Sequence, residues 1–191
     1  MEIQSQPNPI FVVGCPRSGT DYVARWIGKA VDHSLIEDTR FLAEKFDEWE
    51  LPDGRVVIKW CHLFEHADEL IERYPKCLFV NVVRDPLNVL YSIVTAKPSS
   101  APYRDFGEMR IPAKAVDWWN FHTYKIRWLS ASQPNHWITV SYEALLSERE
   151  RLQKRLDCEL PEPSDFVNRN MDGIRLHWLN GELAITRECV S

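Results

Sequence analysis

The stretch IFVVGCPRSGTDYVARWI, residues 10–27, decides how the rest of the chain is read. Ile10–Val13 is a β-branched and aromatic apolar run, the composition of a buried strand. It ends at Gly14, a second glycine follows at Gly19, and a helical pattern opens near Ser18 and runs to about Ala30. Strand, glycine-bounded loop and helix form the frame of a phosphate-binding loop. Backbone N–H groups point into such a loop, and the helix N-terminus adds partial positive charge. A plain tight turn before a helix accounts less well for Gly, Pro, Arg, Ser, Gly and Thr together.

The glycine spacing is G-x-x-x-x-G, but Thr20 and Asp21 stand where a Walker A loop carries Lys and then Ser or Thr. A terminal triphosphate thereby lacks its main cation, and Mg²⁺ lacks a hydroxyl ligand. That argues against an ordinary ATPase or GTPase. Arg17, inside the loop, is a substitute cation, because a guanidinium grips a phosphate or sulfonate through two N–H groups at once.

Outward from the loop, Val56–Ile58, Leu78–Val83 and Trp137–Val140 are further short apolar runs. Helical segments separate them. Glu65–Tyr74 is stopped by Pro75. A second begins at Asp85-Pro86, with Asp as N-cap and Pro at the first helical position. Ala115–Ser130 and the charge-rich Tyr142–Leu156 follow. The alternation predicts an α/β chain: a P-loop-NTPase-like three-layer fold with a central parallel sheet flanked by helices. Lys97–Pro112, interrupted by Pro98 and Pro102, reads as a long loop, and the sequence after Pro161 has no clear period. The 191 residues, 45% of them hydrophobic, suit one domain over 1–191 with a sizeable core. The aromatic cluster Trp118, Trp119, Phe121 and Trp128 reads first as core and second as the wall of an acceptor pocket.

Net charge is -5, so a partner surface of nucleic acid or polyanionic sugar is not expected, and any anion site is local. Cys15, Cys61, Cys77, Cys158 and Cys189 form no C-x-x-C or metal-ligand pattern, which fits a reducing compartment and no metal. No basic and apolar leader opens the sequence, and no apolar run reaches the roughly 20 residues of a membrane span. A soluble cytoplasmic protein is expected.

Ligands of parallel sheets bind beyond the carboxyl ends of the strands. Lys59 ends the run VVIK and Arg84 ends LFVNVVR, so two cations join the phosphate loop on one sheet edge. Taken singly, Lys59 would be a solvated surface lysine and Arg84 a partner of Asp85; their shared placement favours joint anion binding. Ser92 lies eight residues after Arg84, about two turns into the helix that Asp85 caps.

These residues resemble the sulfotransferase superfamily. Pro16-Arg17-Ser18-Gly19-Thr20-Asp21 is similar to its 5′-phosphosulfate loop, P-[KR]-[ST]-G-T-[TS]. Arg84-Asp85-Pro86 with Ser92 is similar to its 3′-phosphate motif, about seventy residues further on. Lys59 matches a strand-end lysine between the two, and VSYEALL, residues 140–146, resembles the V-x-Y-E-x-L stretch after the last core strand. The resemblance implies 3′-phosphoadenosine 5′-phosphosulfate (PAPS) as donor and PAP as product. By position, Arg17, Ser18, Gly19, Thr20 and Lys59 would hold the 5′-phosphosulfate, and Arg84 and Ser92 the 3′-phosphate. Asp21 departs from the pattern: a carboxylate beside an anion is repulsive unless it pairs with a cation such as Arg25, four residues on. The family's C-terminal loop on the 3′-phosphate has no clear counterpart; Arg169 and Arg175 are the candidates.

The implied reaction is in-line attack of an acceptor hydroxyl or amine on sulfur, with Arg17 and Lys59 stabilising charge on the transferring group. The acceptor is expected to be a small molecule or a peptide. Its proton needs a base. The segment Glu37-Asp38-Thr39-Arg40 is similar to E-[ED]-T-R of protein-tyrosine sulfotransferases. His62 lies one residue beyond the position where cytosolic small-molecule sulfotransferases carry a histidine. Asp38 is preferred, then Glu37, then His62. The alternatives are a PAP- or PAPS-binding protein without transferase activity and, further off, a small-molecule kinase.

Overall fold

The computed structural model describes residues 8–31, 35–36, 49–96, 110–163, 174–179 and 182–187. Five parallel strands form the sheet: β1 (Asn8–Val13), β2 (Leu35–Ile36), β3 (Arg55–Lys59), β4 (Leu78–Val83) and β5 (Trp137–Ser141). Four lie on the apolar runs, and the short β2 is one that no run announces. Their order across the sheet is β2-β3-β1-β4-β5, so β1 lies at the centre with β3 on one side and β4 on the other.

Both faces of the sheet are covered, which is why its strands read as continuous rather than alternating apolar runs. Ile10, Val12, Val80 and Val140 point into one cluster with Val23 and Ile27 of α1 (Thr20–Val31). Leu145 and Leu152 of a C-terminal helix, Leu145–Leu156, complete that layer. Phe11, Val13, Ile58 and Phe79 point the other way. There they meet Leu70 of α2 (Ala67–Arg73) and Ile126 and Leu129 of the helix Pro112–Ser132. Phe79 and Trp137, register partners on β4 and β5, stack with ring centroids 4.4 Å apart. Side chains as fully buried as Phe11 and Ile58 each contribute roughly 1.5–3 kcal/mol.

The helix after β4, α3 (Pro86–Val94), starts as its residues dictate. The Asp85 carboxylate accepts from the Asn88 backbone N–H at 2.9 Å, and Pro86 needs no partner in the first turn. The two remaining long helices are α4 (Pro112–Ser132) and α5 (Leu145–Leu156). Helix α1 begins at Thr20 rather than Ser18, because Ser18 belongs to the turn that its N–H closes onto the Cys15 carbonyl. The segment expected as one helix over Glu65–Tyr74 is a 3-10 turn, Leu63–His66, followed by α2.

Two strands lie in the C-terminal stretch that shows no period in the sequence. β6 (Ile174–Leu179) and β7 (Glu182–Arg187) form an antiparallel pair packed on α3 and α4, with Ile174 buried. The aromatic cluster on α4 is not core: Phe121 and Trp128 are about half exposed, and Trp118 and Trp119 only flank a buried cluster. No described helix is long and apolar enough to cross a membrane.

Candidate functional site

The loop between β1 and α1 sits at the carboxyl edge of the central strand, flanked by the ends of β3 and β4. Both of its glycines are demanded by space. A Cβ on Gly14 would lie 2.5 Å from the Val82 carbonyl oxygen, and one on Gly19 would fall on the Tyr142 ring. Both have positive φ, which only glycine adopts freely. Arg17 also has positive φ, 73°, a left-handed conformation that costs a non-glycine residue about 1–2 kcal/mol.

Two contacts hold Arg17 there. Its Nε donates to Ser92 Oγ at 3.0 Å, and its carbonyl oxygen accepts from Arg84 Nη1 at 3.2 Å. Arg84 in turn lies over the Tyr142 ring, 5.0 Å from its centroid. Burial pulls the Arg84 pKa down, as does Arg17, while Tyr142, Glu143 and Asp85 oppose the shift. The segment after β5 braces this corner. Tyr142 N–H donates to the Val83 carbonyl at 2.7 Å, and Glu143 accepts from the Asp85 N–H at 2.9 Å. Arg17, Arg84 and Ser92 therefore form one body, although the sequence separates Arg17 from the other two.

Lys59 ends β3 and is 7% exposed, not the solvated surface lysine that its residue type favours. Its Nζ lies 3.0 Å from Asp21 Oδ1. The expected i,i+4 partner of Asp21 was Arg25; the ion pair that forms is across the loop, to the neighbouring strand. Beside it, Thr20 Oγ1 and Cys61 Sγ are 3.6 Å apart. Ser18 Oγ is fully buried and has no hydrogen-bond partner among the described residues. A buried hydroxyl without a partner is costly, and an anion seated in the loop is one group that would satisfy it.

The candidate bases separate. Glu37 and Asp38 lie outside the described residues. His62 is described, and its Nδ1 lies 3.1 Å from Glu65 Oε1. Its ring stands 5.0 Å from that of His122 and 5.8 Å from that of Trp118, in an aromatic cluster. His122 is wholly buried, and burial pushes its pKa down to about 4, so it is neutral. Arg169 lies outside the described residues, and Arg175 sits on β6. Among the described residues no group of three His, Cys, Asp or Glu is placed to hold a metal.

A cavity of about 270 Å³ reaches the loop from the α4 side of the sheet, bounded by Cys15, Ser18, Asn81, Arg84, Trp119 and Ile126. Asn81 and Tyr142 join the site without being among its sequence candidates: Asn81 is the one polar residue inside LFVNVV, and Tyr142 lies within VSYEALL. Asn81 Nδ2 lies 3.3 Å from Thr139 Oγ1 at the open side of β5.

Residues 34–157, well over half the chain, match the profile of the sulfotransferase family. The chain belongs to that family. No curated protein sequence matches it. Among solved structures, the family fold recurs in the mouse sulfotransferase SULT7A1 complexed with PAP, 16% identical, TM-score 0.57, covering 81% of this chain and 60% of that one. A sulfotransferase from Alicyclobacillus acidocaldarius is 14% identical, TM-score 0.55, with 86% and 87% covered. A sugar kinase from Janibacter sp. HTCC2649 is 15% identical, TM-score 0.51, with 85% and 99% covered. At such identities the likeness is one of fold, and this chain spans 60% of the length of the mouse protein. The P-loop-like three-layer sheet is common to sulfotransferases and kinases, so the fold leaves the donor to be argued from the loop.

Proposed function

We propose that this sulfotransferase-family chain moves a sulfuryl group from PAPS to a hydroxyl or amine of a small-molecule or peptide acceptor. The observation that carries the reading is the convergence of Arg17, Lys59 and Arg84 around a phosphate loop that lacks the Walker lysine. Such a loop suits a ligand with anionic groups at two ends and no need of a bound Mg²⁺-triphosphate. The residues fit the donor. The glycine-floored loop and the unpartnered Ser18 hydroxyl suit an anion, and Arg84 with Ser92 offers a second anion site beside the loop.

PAPS supplies a sulfuryl group already activated by its bond to a phosphate oxygen. The loop N–H groups, Ser18, Gly19 and Thr20 would hold the 5′ end, and Arg84 and Ser92 the 3′-phosphate. Lys59, kept in a nearly dry position, directs its charge at the 5′ end, where charge on the departing oxygen develops, and the same charge would count for less in water. Arg17 would join Lys59 in stabilising charge on the transferring group. Glu37 or Asp38 would take the acceptor proton. His62, engaged with Glu65 and ringed by aromatics, is the weaker candidate.

The Asp21–Lys59 pair favours one other reading, a PAP- or PAPS-binding protein that does not transfer, because the pair occupies a cation the reaction needs. Thermal-shift titration with PAP, ADP and ATP tests the donor site, and labelled PAPS with an acceptor panel tests transfer. Stabilisation by PAP well above ADP supports the reading, since ADP lacks the 3′-phosphate. A ligand at about 100 times its dissociation constant adds about 2.7 kcal/mol. Equal shifts from PAP and ADP refute it, and PAP binding without transfer to any acceptor favours the non-transferring protein.

A further inference from the structure

Asp21 opens helix α1 where the resemblance expects a hydroxyl. Its side chain is 74% exposed, so water could solvate it fully. It turns inward instead, to the ammonium of Lys59, whose side chain is 9% exposed. The reason lies with the lysine. An ammonium held out of water requires a counter-charge, and Asp21 supplies one across the loop. The anion site therefore carries its own internal anion.

That carboxylate cannot be neutral toward ligands. It stands in the first turn of α1, beside the loop N–H groups that would hold a 5′-phosphate, and it owns the cation aimed at the group beyond that phosphate. An incoming phosphosulfate must compete with it for Lys59. After transfer, the bridging S–O bond pair has stayed with the 5′-phosphate oxygen and the sulfuryl group has left with the acceptor. The departing oxygen, now part of the 5′-phosphate, keeps a claim on Lys59, and the Asp21 carboxylate competes with it for the same ammonium.

We propose that Asp21 tunes nucleotide affinity: by competing for Lys59 it weakens PAP binding and speeds product release. This rests on the functional reading above. Thr20 cannot substitute, since its hydroxyl is turned to Cys61 and it carries no charge.

The test is PAP binding by calorimetry to the wild type and to Asp21→Asn, Asp21→Thr and Asp21→Glu, with product inhibition by PAP measured alongside. Asp21→Asn and Asp21→Thr should bind PAP at least about tenfold more tightly, the scale of one charge-assisted contact, and be inhibited by it at correspondingly lower concentration. Asp21→Glu keeps the charge and the wild-type affinity. Melting temperatures identify a variant that Lys59, left without its counter-charge, has destabilised; Asp21→Glu is spared that loss and still separates charge from shape. PAP binding equal across all four proteins overturns the inference and leaves the functional reading standing. PAP binding to none of them overturns both.

Discussion

Replacing Lys59 with methionine separates what the residue does for the fold from what it does for chemistry. Methionine nearly matches the aliphatic stem and volume of lysine, and Lys59 is 7% exposed, so the side chain keeps its packing. What is lost includes an ion pair, at 3.0 Å, to a carboxylate that is itself 74% exposed. The attraction is offset by the cost of holding an ammonium out of water; replacing a whole buried pair by apolar groups is often neutral or stabilising by ~1–4 kcal/mol, and here the carboxylate left behind is already exposed. Asp21 returns to water with little penalty. Stability should therefore be unchanged or raised by about 1 kcal/mol, a rise of roughly 2–4 °C in melting temperature for a chain of this size. Transfer should fall ~10²–10³-fold, the usual cost of removing one charge-stabilising group aimed at a transition state. Urea denaturation gives the first quantity and turnover of labelled PAPS the second. A loss of more than about 2 kcal/mol in stability would show that Lys59 is held for structure, and unchanged turnover would remove it from the mechanism.

Arg84→Ala should weaken PAP binding by ~1.5–3 kcal/mol in calorimetry, with a smaller effect on ADP, because only PAP presents a 3′-phosphate to it. Gly19→Ala should lower stability by about 2 kcal/mol or more in urea and loosen PAP binding, since the new methyl meets the Tyr142 ring that supports Arg84 and the backbone is at φ 98°. The folded pKa of His122, about 4, lies below its unfolded value of about 6.5, so the unfolded chain binds the proton first and stability falls as pH drops from about 6.5 to 4. His122→Phe should flatten that part of the stability–pH curve, and an unchanged slope would refute the assignment. Asp38→Asn or Glu37→Gln should cut turnover ~10²–10⁴-fold with PAP affinity nearly intact, while His62→Ala keeps most activity; the reverse pattern gives the proton to the histidine.

The loop, the sheet and the two motif arginines were legible because each rests on local chemistry. Val12 and Val13 against Gly14, and Asp85-Pro86 against Asn88, announce their conformations within a few residues. The partner of Asp21 was not legible, because i,i+4 spacing points to Arg25 while the ion pair depends on β3 lying beside β1, and strand order is not written in chain order. The burial of Lys59 follows from the same neighbour relation. The Arg17–Ser92 contact was not legible either, because it joins residues 75 apart in the chain and no local spacing announces it. The β6–β7 pair had a usable signal, Asn180-Gly181 between two runs of mixed apolar residues, the commonest two-residue hairpin sequence, which the absence of a period after Pro161 obscured. Phe121 and Trp128 were misread because aromatic content sets a preference for burial, whereas only the packing of α4 decides which of its sides is covered.

The loop crown and the second anion site share their fastening. Arg17 stands in a left-handed conformation that its own residue type disfavours, and the groups that hold it, Arg84 and Ser92, are those the resemblance gives to the 3′-phosphate. Strain of this kind persists only where the surroundings over-determine the backbone. Ser92 Oγ accepts from the Arg17 guanidinium and Arg84 donates to the Arg17 carbonyl, so the residues proposed for the 3′-phosphate also shape the loop proposed for the 5′ end. On the proposed reading, a ligand that drew Arg84 and Ser92 to a 3′-phosphate would also free the Arg17 guanidinium to turn toward the 5′ end. The two halves of the nucleotide would then not be independent anchors, and ADP would be disfavoured beyond its missing charge.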